Sequence, residues 1–204
     1  MNYPFPCLAI IMLIIAVITI NRKRSDAKQA DLNKTFLERE NEANATRRQD
    51  ISVLKYIKIP ERLTDPENEV LKELCADELK ELKRLSDEKL LNLTIYSNTD
   101  LKLMYGPQNL DDLSLYDNNF TSFEVTVTSL ARKCIDNDME GEAIPYLEFA
   151  IAHKTTDSQI YVLLGNAYKN RGQLDKVQTL IDGLEGQEFL MKKTILEKLS
   201  QIVS

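Results

Sequence analysis

The chain has 204 residues, 43% hydrophobic and 28% charged, with six glycines, six prolines and no tryptophan; this suits one or two small folded domains and excludes a collagenous or wholly disordered chain. Glycine is too sparse for a dinucleotide-binding or phosphate-loop architecture, and three cysteines with one histidine are too few and too scattered for a disulfide scaffold or a zinc cluster. The net charge of −6 is uneven, with ten basic and six acidic side chains over residues 21–60 but 16 basic against 26 acidic from residue 61 onward, which excludes a nucleic-acid groove needing clustered Lys and Arg.

Residues 1–24 read as a membrane anchor with a basic flank. Residues 1–20 carry no charged side chain, and 7–20 (CLAIIMLIIAVITI) are apolar apart from Thr19. As a helix, residues 3–20 would reach about 27 Å, just enough to span a hydrocarbon core. Their ten strongly apolar side chains give roughly −3 to −6 kcal/mol for insertion. A cleaved secretory signal fits less well, because the start has no basic side chain and no small-residue cleavage site follows. Arg22, Lys23 and Arg24 flank the span on its carboxyl side, so the positive-inside rule predicts a single-pass protein with its soluble part in the cytoplasm.

Residues 25–60 read as a polar helical stalk, with Leu32, Phe36 and Leu37 as a first apolar cluster and Ile51, Leu54 and Ile57 as a second. Pro60 should stop that helix. Residues 61–123 read as a helical segment. Thr64-Asp65-Pro66-Glu67 is a start signal, with Asp65 as cap and Pro66 in the first turn. Leu71, Leu74, Cys75, Leu79, Leu82 and Leu85 then form one apolar stripe up to Ser86 that must be buried. Cys75 belongs to the stripe as a small hydrophobe with no second cysteine near it in sequence. From Asp87 to Asn119 the spacing predicts short helices joined by turns, with Gly106 as a left-handed cap after Tyr105. Phe120, Phe123, Val127, Leu130, Ala131 and Cys134 predict a helical face, against the strand suggested by Phe123, Val125 and Val127 alone.

Residues 124–204 carry an internal repeat. A shift of 34 aligns Val127 with Tyr161, Leu130 with Leu164, Ala131 with Gly165, Cys134 with Tyr168, Ala143 with Val177 and Leu147 with Ile181. The second copy, Tyr161-x2-Leu164-Gly165-x2-Tyr168-x3-Gly172-x-Leu174-x2-Val177, resembles the tetratricopeptide (TPR) signature, a helix–turn–helix unit of that length. The first copy departs from it at Val127 and Asp138, where an aromatic and a glycine are usual, and neither copy has the closing proline. Residues 188–203 look like the solvating helix that ends such arrays. The whole chain, with its ENEAN and YGPQNL segments, also resembles uncharacterised membrane-anchored proteins of Gram-positive bacteria.

The resemblance implies an all-α fold: transmembrane helix, polar stalk, then a TPR-like α-α superhelix of two repeats and a capping helix. Two units are few for a stable array, so the helices from Asp65 to Tyr116 should pack on the first repeat, or the chain should self-associate as a homo-oligomer. The family's inner face binds extended peptides, and the matching positions are Thr128, Arg132 and Ile135, then Gln159, Val162, Asn166 and Lys169. Arg132, Asn166 and Lys169 are the candidates for holding a peptide backbone or carboxylate; ordinary solvated residues are the other reading.

No grouping points to a catalytic, cofactor or metal site. Asp136-x-Asp138-x-Glu140-Gly141 imitates a calcium loop, but its twelfth position is Leu147 where a bidentate acid is needed, so it reads as the turn inside the first repeat. His153 stands at a helix end, where an imidazole caps carbonyls or faces water. Asn33, Asn44, Asn92 and Asn119 head Asn-x-Ser/Thr sequons, which matter only in a eukaryotic lumen. The expected function is a membrane-anchored, non-enzymatic adaptor or scaffold that binds a protein or peptide. The alternative is an extracytoplasmic anchored helper in secretion, folding or envelope assembly.

Overall fold

The computed structural model describes residues 32–203, preceded by Ile18, residues 21–23 and Gln29. Among the described residues the regular structure is helical, with one isolated antiparallel bridge between Ile57 and Leu90. The helices in order are α1 over 32–45, α2 Glu61–Thr64, α3 Glu69–Leu74, α4 Ala76–Ser86, α5 Asn98–Tyr105, α6 Leu110–Asp136, α7 Glu140–Ala152, α8 Ser158–Asn170, α9 Leu174–Glu185 and α10 Lys192–Val203. The all-α class expected from the sequence is therefore observed. The chain divides into two compact units, Met1–Gln49 with Asn98–Gln108, and Asp50–Ser97 with Asn109–Ser204.

In the first unit α1 and α5 are joined by polar pairs. Arg39 Nη2 lies 2.5 Å from Asp100 Oδ1, and Glu40 accepts from Lys102 and from the Thr99 hydroxyl. Those two bonds, Lys102 first, hold the Glu40 carboxyl below its ordinary range. The helix end expected at Tyr105-Gly106-Pro107 is present: Gly106 has φ +86° and gives its N–H to Lys102 O at 2.8 Å. A Cβ there would also meet Arg48 Cα at 2.8 Å, so glycine is required twice over.

The helical stalk expected over 25–60 is shorter than its composition suggested. Helix α1 ends at residue 45, where Thr46 returns its hydroxyl to Glu42 O and, further on, Asp50 accepts the Ser52 N–H. Such short polar side chains offer the backbone local partners that compete with a helix.

In the second unit α3 begins at Asn68, whose carboxamide oxygen accepts from Val70 and Leu71, and not at the Asp65 cap expected; Asp65 instead lies 3.0 Å from Lys72 Nζ. The single helix expected to Ser86 is broken at Cys75 (φ −115°, ψ 29°). Its apolar stripe survives the break, since Leu71, Cys75, Leu79, Leu82 and Leu85 are all buried, with α4 packed on α6. Between Asp87 and Asn119 the expected short helices are present as α5 and a single 3-10 turn at Pro107–Asn109, but α6 runs unbroken from Leu110, so residues 110–119 and the segment boundary at 123/124 fall inside one 27-residue helix.

Helix α6 packs on α7, α7 on α8, and α8 on α6, α9 and α10. Phe120, Phe123, Leu130, Leu147, Tyr161 and Leu164 lie at the centre of this core, each contributing about 1.5–3 kcal/mol by its burial. The turn after α6 and the turn after α8 have the same hydrogen bonds 34 positions apart. Met139 N–H meets Cys134 O at 2.8 Å and Asp138 N–H meets Ile135 O at 3.2 Å; Gln173 N–H meets Tyr168 O at 2.8 Å and Gly172 N–H meets Lys169 O at 2.9 Å. Both are Schellman closures with a left-handed residue, Asp138 at φ 56° and Gly172 at φ 69°. Gly165 lets α10 approach α8, because a Cβ there would stand 2.9 Å from Leu199 and Ile202 side-chain atoms.

Cys75 is buried in the stripe as the sequence predicts, but it is not isolated in space. Its thiol lies beside that of Cys134, 59 positions away on α6, close enough for each to influence the other's ionisation. Both side chains are fully buried and unbridged; burial pushes the Cys75 thiol up and takes that of Cys134 to about 12, so both remain protonated thiols at neutral pH.

The single-pass localisation expected from the sequence is corrected: among the described residues no helix is long and apolar enough to cross a membrane. The longest, α6, has Asp, Asn, Glu and Arg distributed along it. The span expected at residues 3–20 lies outside the described residues except for Ile18, as does Arg24 of the basic flank; Arg22 and Lys23 are helical and exposed.

Candidate peptide-binding cleft

Positions 125, 128, 129, 132, 133 and 136 recur at three- and four-residue intervals, which puts Val125, Thr128, Ser129, Arg132, Lys133 and Asp136 along one face of α6. With Asp157 and Gln159 from the start of α8 they line a cleft of about 360 Å³. The start of α8 is fixed by Asp157, whose carboxylate caps the Gln159 N–H at 2.8 Å.

The floor and walls of the cleft differ in how well their polar groups are satisfied. Thr128 is only 8% exposed, and its hydroxyl has no hydrogen-bond partner. A buried hydroxyl in that state costs about 1–3 kcal/mol until something bonds to it. On one wall Glu78 of α4 accepts from Lys133 at 2.8 Å and from the Ser129 hydroxyl at 2.7 Å. Burial works to raise the Glu78 carboxyl, but the Lys133 and Ser129 bonds prevail and hold it below the usual range.

Arg132 donates one Nη2 bond to the neutral Gln159 carboxamide and forms no ion pair among the described residues. A guanidinium has five N–H donors in a planar fork. The cleft therefore offers a cation, an unpartnered hydroxyl and the exposed apolar side chain of Val125 along one groove.

Of the three residues singled out from the sequence, Arg132 lines the cleft and Asn166 and Lys169 do not. The latter two follow Gln159 by seven and ten positions on α8, about 10 and 15 Å along the helix axis. Ile135 is turned toward the core. Glu78 escaped the sequence reading, although a signal was present: it falls three positions after Cys75 and four before Leu82, a carboxylate on the buried stripe of α4. Such a residue is almost never buried unpaired.

Other clefts occur in the second unit. One of about 380 Å³ is formed by Ile95, Phe189, Leu190 and Met191 with Thr94 and Thr156. One of about 240 Å³ includes Arg62, Pro145, Tyr146 and Glu148. Among the described residues no three His, Cys, Asp or Glu side chains come together as metal ligands. His153 is half-buried against Phe149, ring centroids 4.5 Å apart, and burial alone lowers its pKa below the ordinary imidazole value. Asp138 occupies the turn between α6 and α7, where the calcium-loop imitation was read as a polar turn. Compared with protein-family models, with curated proteins and with solved structures, the chain matches none.

Proposed function

We propose that the helices from α6 to α10 are a TPR-like protein-binding module that holds an extended peptide of a partner in the α6–α8 cleft, binding it without chemical conversion. The observation that carries this reading is the state of Thr128 and Arg132: a buried hydroxyl without a partner and a guanidinium without an acid, side by side in one groove. A peptide main chain supplies carbonyls for the guanidinium and for the hydroxyl proton. The matching closures after α6 and α8, 34 positions apart, and the packing of both α6 and α10 on α8 support the repeat reading.

Selection of a displayed peptide library on the full chain tests the proposal. The selected peptides should lose tenfold or more in affinity on Arg132→Glu and several-fold on Thr128→Val, and stay within twofold on Lys169→Glu. Equal loss from Arg132→Glu and Lys169→Glu would move the interface away from this cleft.

A further inference from the structure

One line of hydrogen bonds links the cleft to a half-buried acid outside it, Glu124. Glu124 of α6 is bonded through Oε1 to the Thr155 hydroxyl, in a residue only 1% exposed. Thr155 Oγ1 accepts the Asp157 N–H at 3.1 Å, so its own proton points to Glu124 when that carboxyl is ionised. The Thr155 carbonyl accepts from the Tyr161 hydroxyl at 3.3 Å, which ties the same turn to α8. Asp157 caps Gln159, and Gln159 accepts from Arg132. We propose that Glu124 is a positioning residue of the cleft, whose charge state sets the placement of Gln159 and Arg132 through Thr155 and Asp157. The proposal rests on the cleft reading but is open to test without any ligand.

The electrostatics on balance favour the protonated form. Burial raises the Glu124 carboxyl to about 7, the Thr155 bond opposes this, and the charges of Asp157 and Asp117 add to the rise. Asp117 lies on the same helix, Asp157 at the start of α8, and Tyr161 faces it from α8. His153 and Lys154 lie on the connection that carries Thr155. Protonated, Glu124 is a neutral partner for Thr155. Ionised, it puts a second negative charge near the Asp157 carboxylate, and the relief available is a shift of Asp157, which carries Gln159 and the Arg132 bond with it.

The test is a pH titration of the full chain by NMR between pH 5.5 and 8.5, following the Gln159 amide and the Arg132 Nε–H. Both should move with one midpoint near pH 7, and Glu124→Gln should remove that transition, leaving only the His153 titration at lower pH. Asp157→Asn keeps a good cap but removes its charge; it should cut the amplitude at Arg132 by half or more while Glu124 still titrates. Signals of Gln159 and Arg132 that ignore pH while Glu124 titrates, or that keep the same midpoint in Glu124→Gln, would overturn the proposal. If Glu124→Gln does not fold, the Asp157→Asn amplitude decides. None of these readouts depends on whether the cleft takes a peptide.

Discussion

Glu124 on α6 and Glu78, which bonds to α6 from α4, respond to pH in opposite senses. Glu124 is raised above its ordinary value of 4.5 to about 7, so the folded state holds its proton more tightly than the unfolded chain. Its contribution is fully present below about pH 4.5 and is lost as pH rises through 7, with a slope of at most about 1.4 kcal/mol per unit. Glu78 is lowered, so its contribution is present above the ordinary carboxylate range and is lost as pH falls through its folded value. Urea midpoints measured from pH 4.5 to 8 should show the first decline, and Glu124→Gln should flatten it. Left-handed positions give a second check. No atom lies within 4 Å of a Cβ built on Gly172, so Gly172→Ala should lose about 1 kcal/mol through backbone conformation alone. Lys154, at φ 60°, should gain up to about 1 kcal/mol as Lys154→Gly, offset in part by the greater freedom of an unfolded glycine. Two of the sequon asparagines are already committed: Asn119 is buried and gives its amide to Lys89 O, and Asn92 gives its amide to His153 O and Lys154 O.

At the scale of elements, the helices easiest to read were those whose apolar spacing is matched by their neighbours. The face from Phe120 to Cys134 and the ridge of Tyr161, Leu164 and Tyr168 are buried as the pattern required. The errors came where backbone polar groups find side-chain partners. Asn68 displaced Asp65 as a cap by reaching two amides at once, and the run from Asp87 to Asn119 hid the start of α6 because its Asn and Asp residues favour turns when read locally. The tightest approach at Gly165 is that of α10, through Leu199 and Ile202, with Val177 of α9 at 4.0 Å from a Cβ built there. Gly165→Leu should therefore detach α10, measured as faster amide exchange in residues 192–203 with little change in α6 and α7. Gly165→Ala should be mild, since the groups in its way are the ends of flexible side chains. Gly106→Ala should destabilise the first unit by more than about 1 kcal/mol, combining left-handed strain with a backbone clash at Arg48.

Across the whole molecule, the two units differ in what holds them. Among the described residues, the first is joined by ion pairs and a few buried side chains such as Ala43 and Leu101, whereas the second has a continuous apolar core. Exposed ion pairs contribute little, so native-state hydrogen exchange should find α5 opening at lower free energy than α6, α7 and α8. Three of the eight residues lining the candidate cleft were legible, because Thr128, Arg132 and Gln159 are among the positions that the sequence resemblance places on an inner face. The rest was not, because Glu78 and the Glu124–Thr155–Asp157 line join residues far apart in the chain. The same long-range closure brought Cys75 of the α3–α4 break against Cys134 of α6. Two fully covered thiols with raised pKa values react with a thiol reagent only after these helices part. In a Cys7→Ser background, their labelling rate becomes a stopwatch for that parting, read at a single site pair with no added probe.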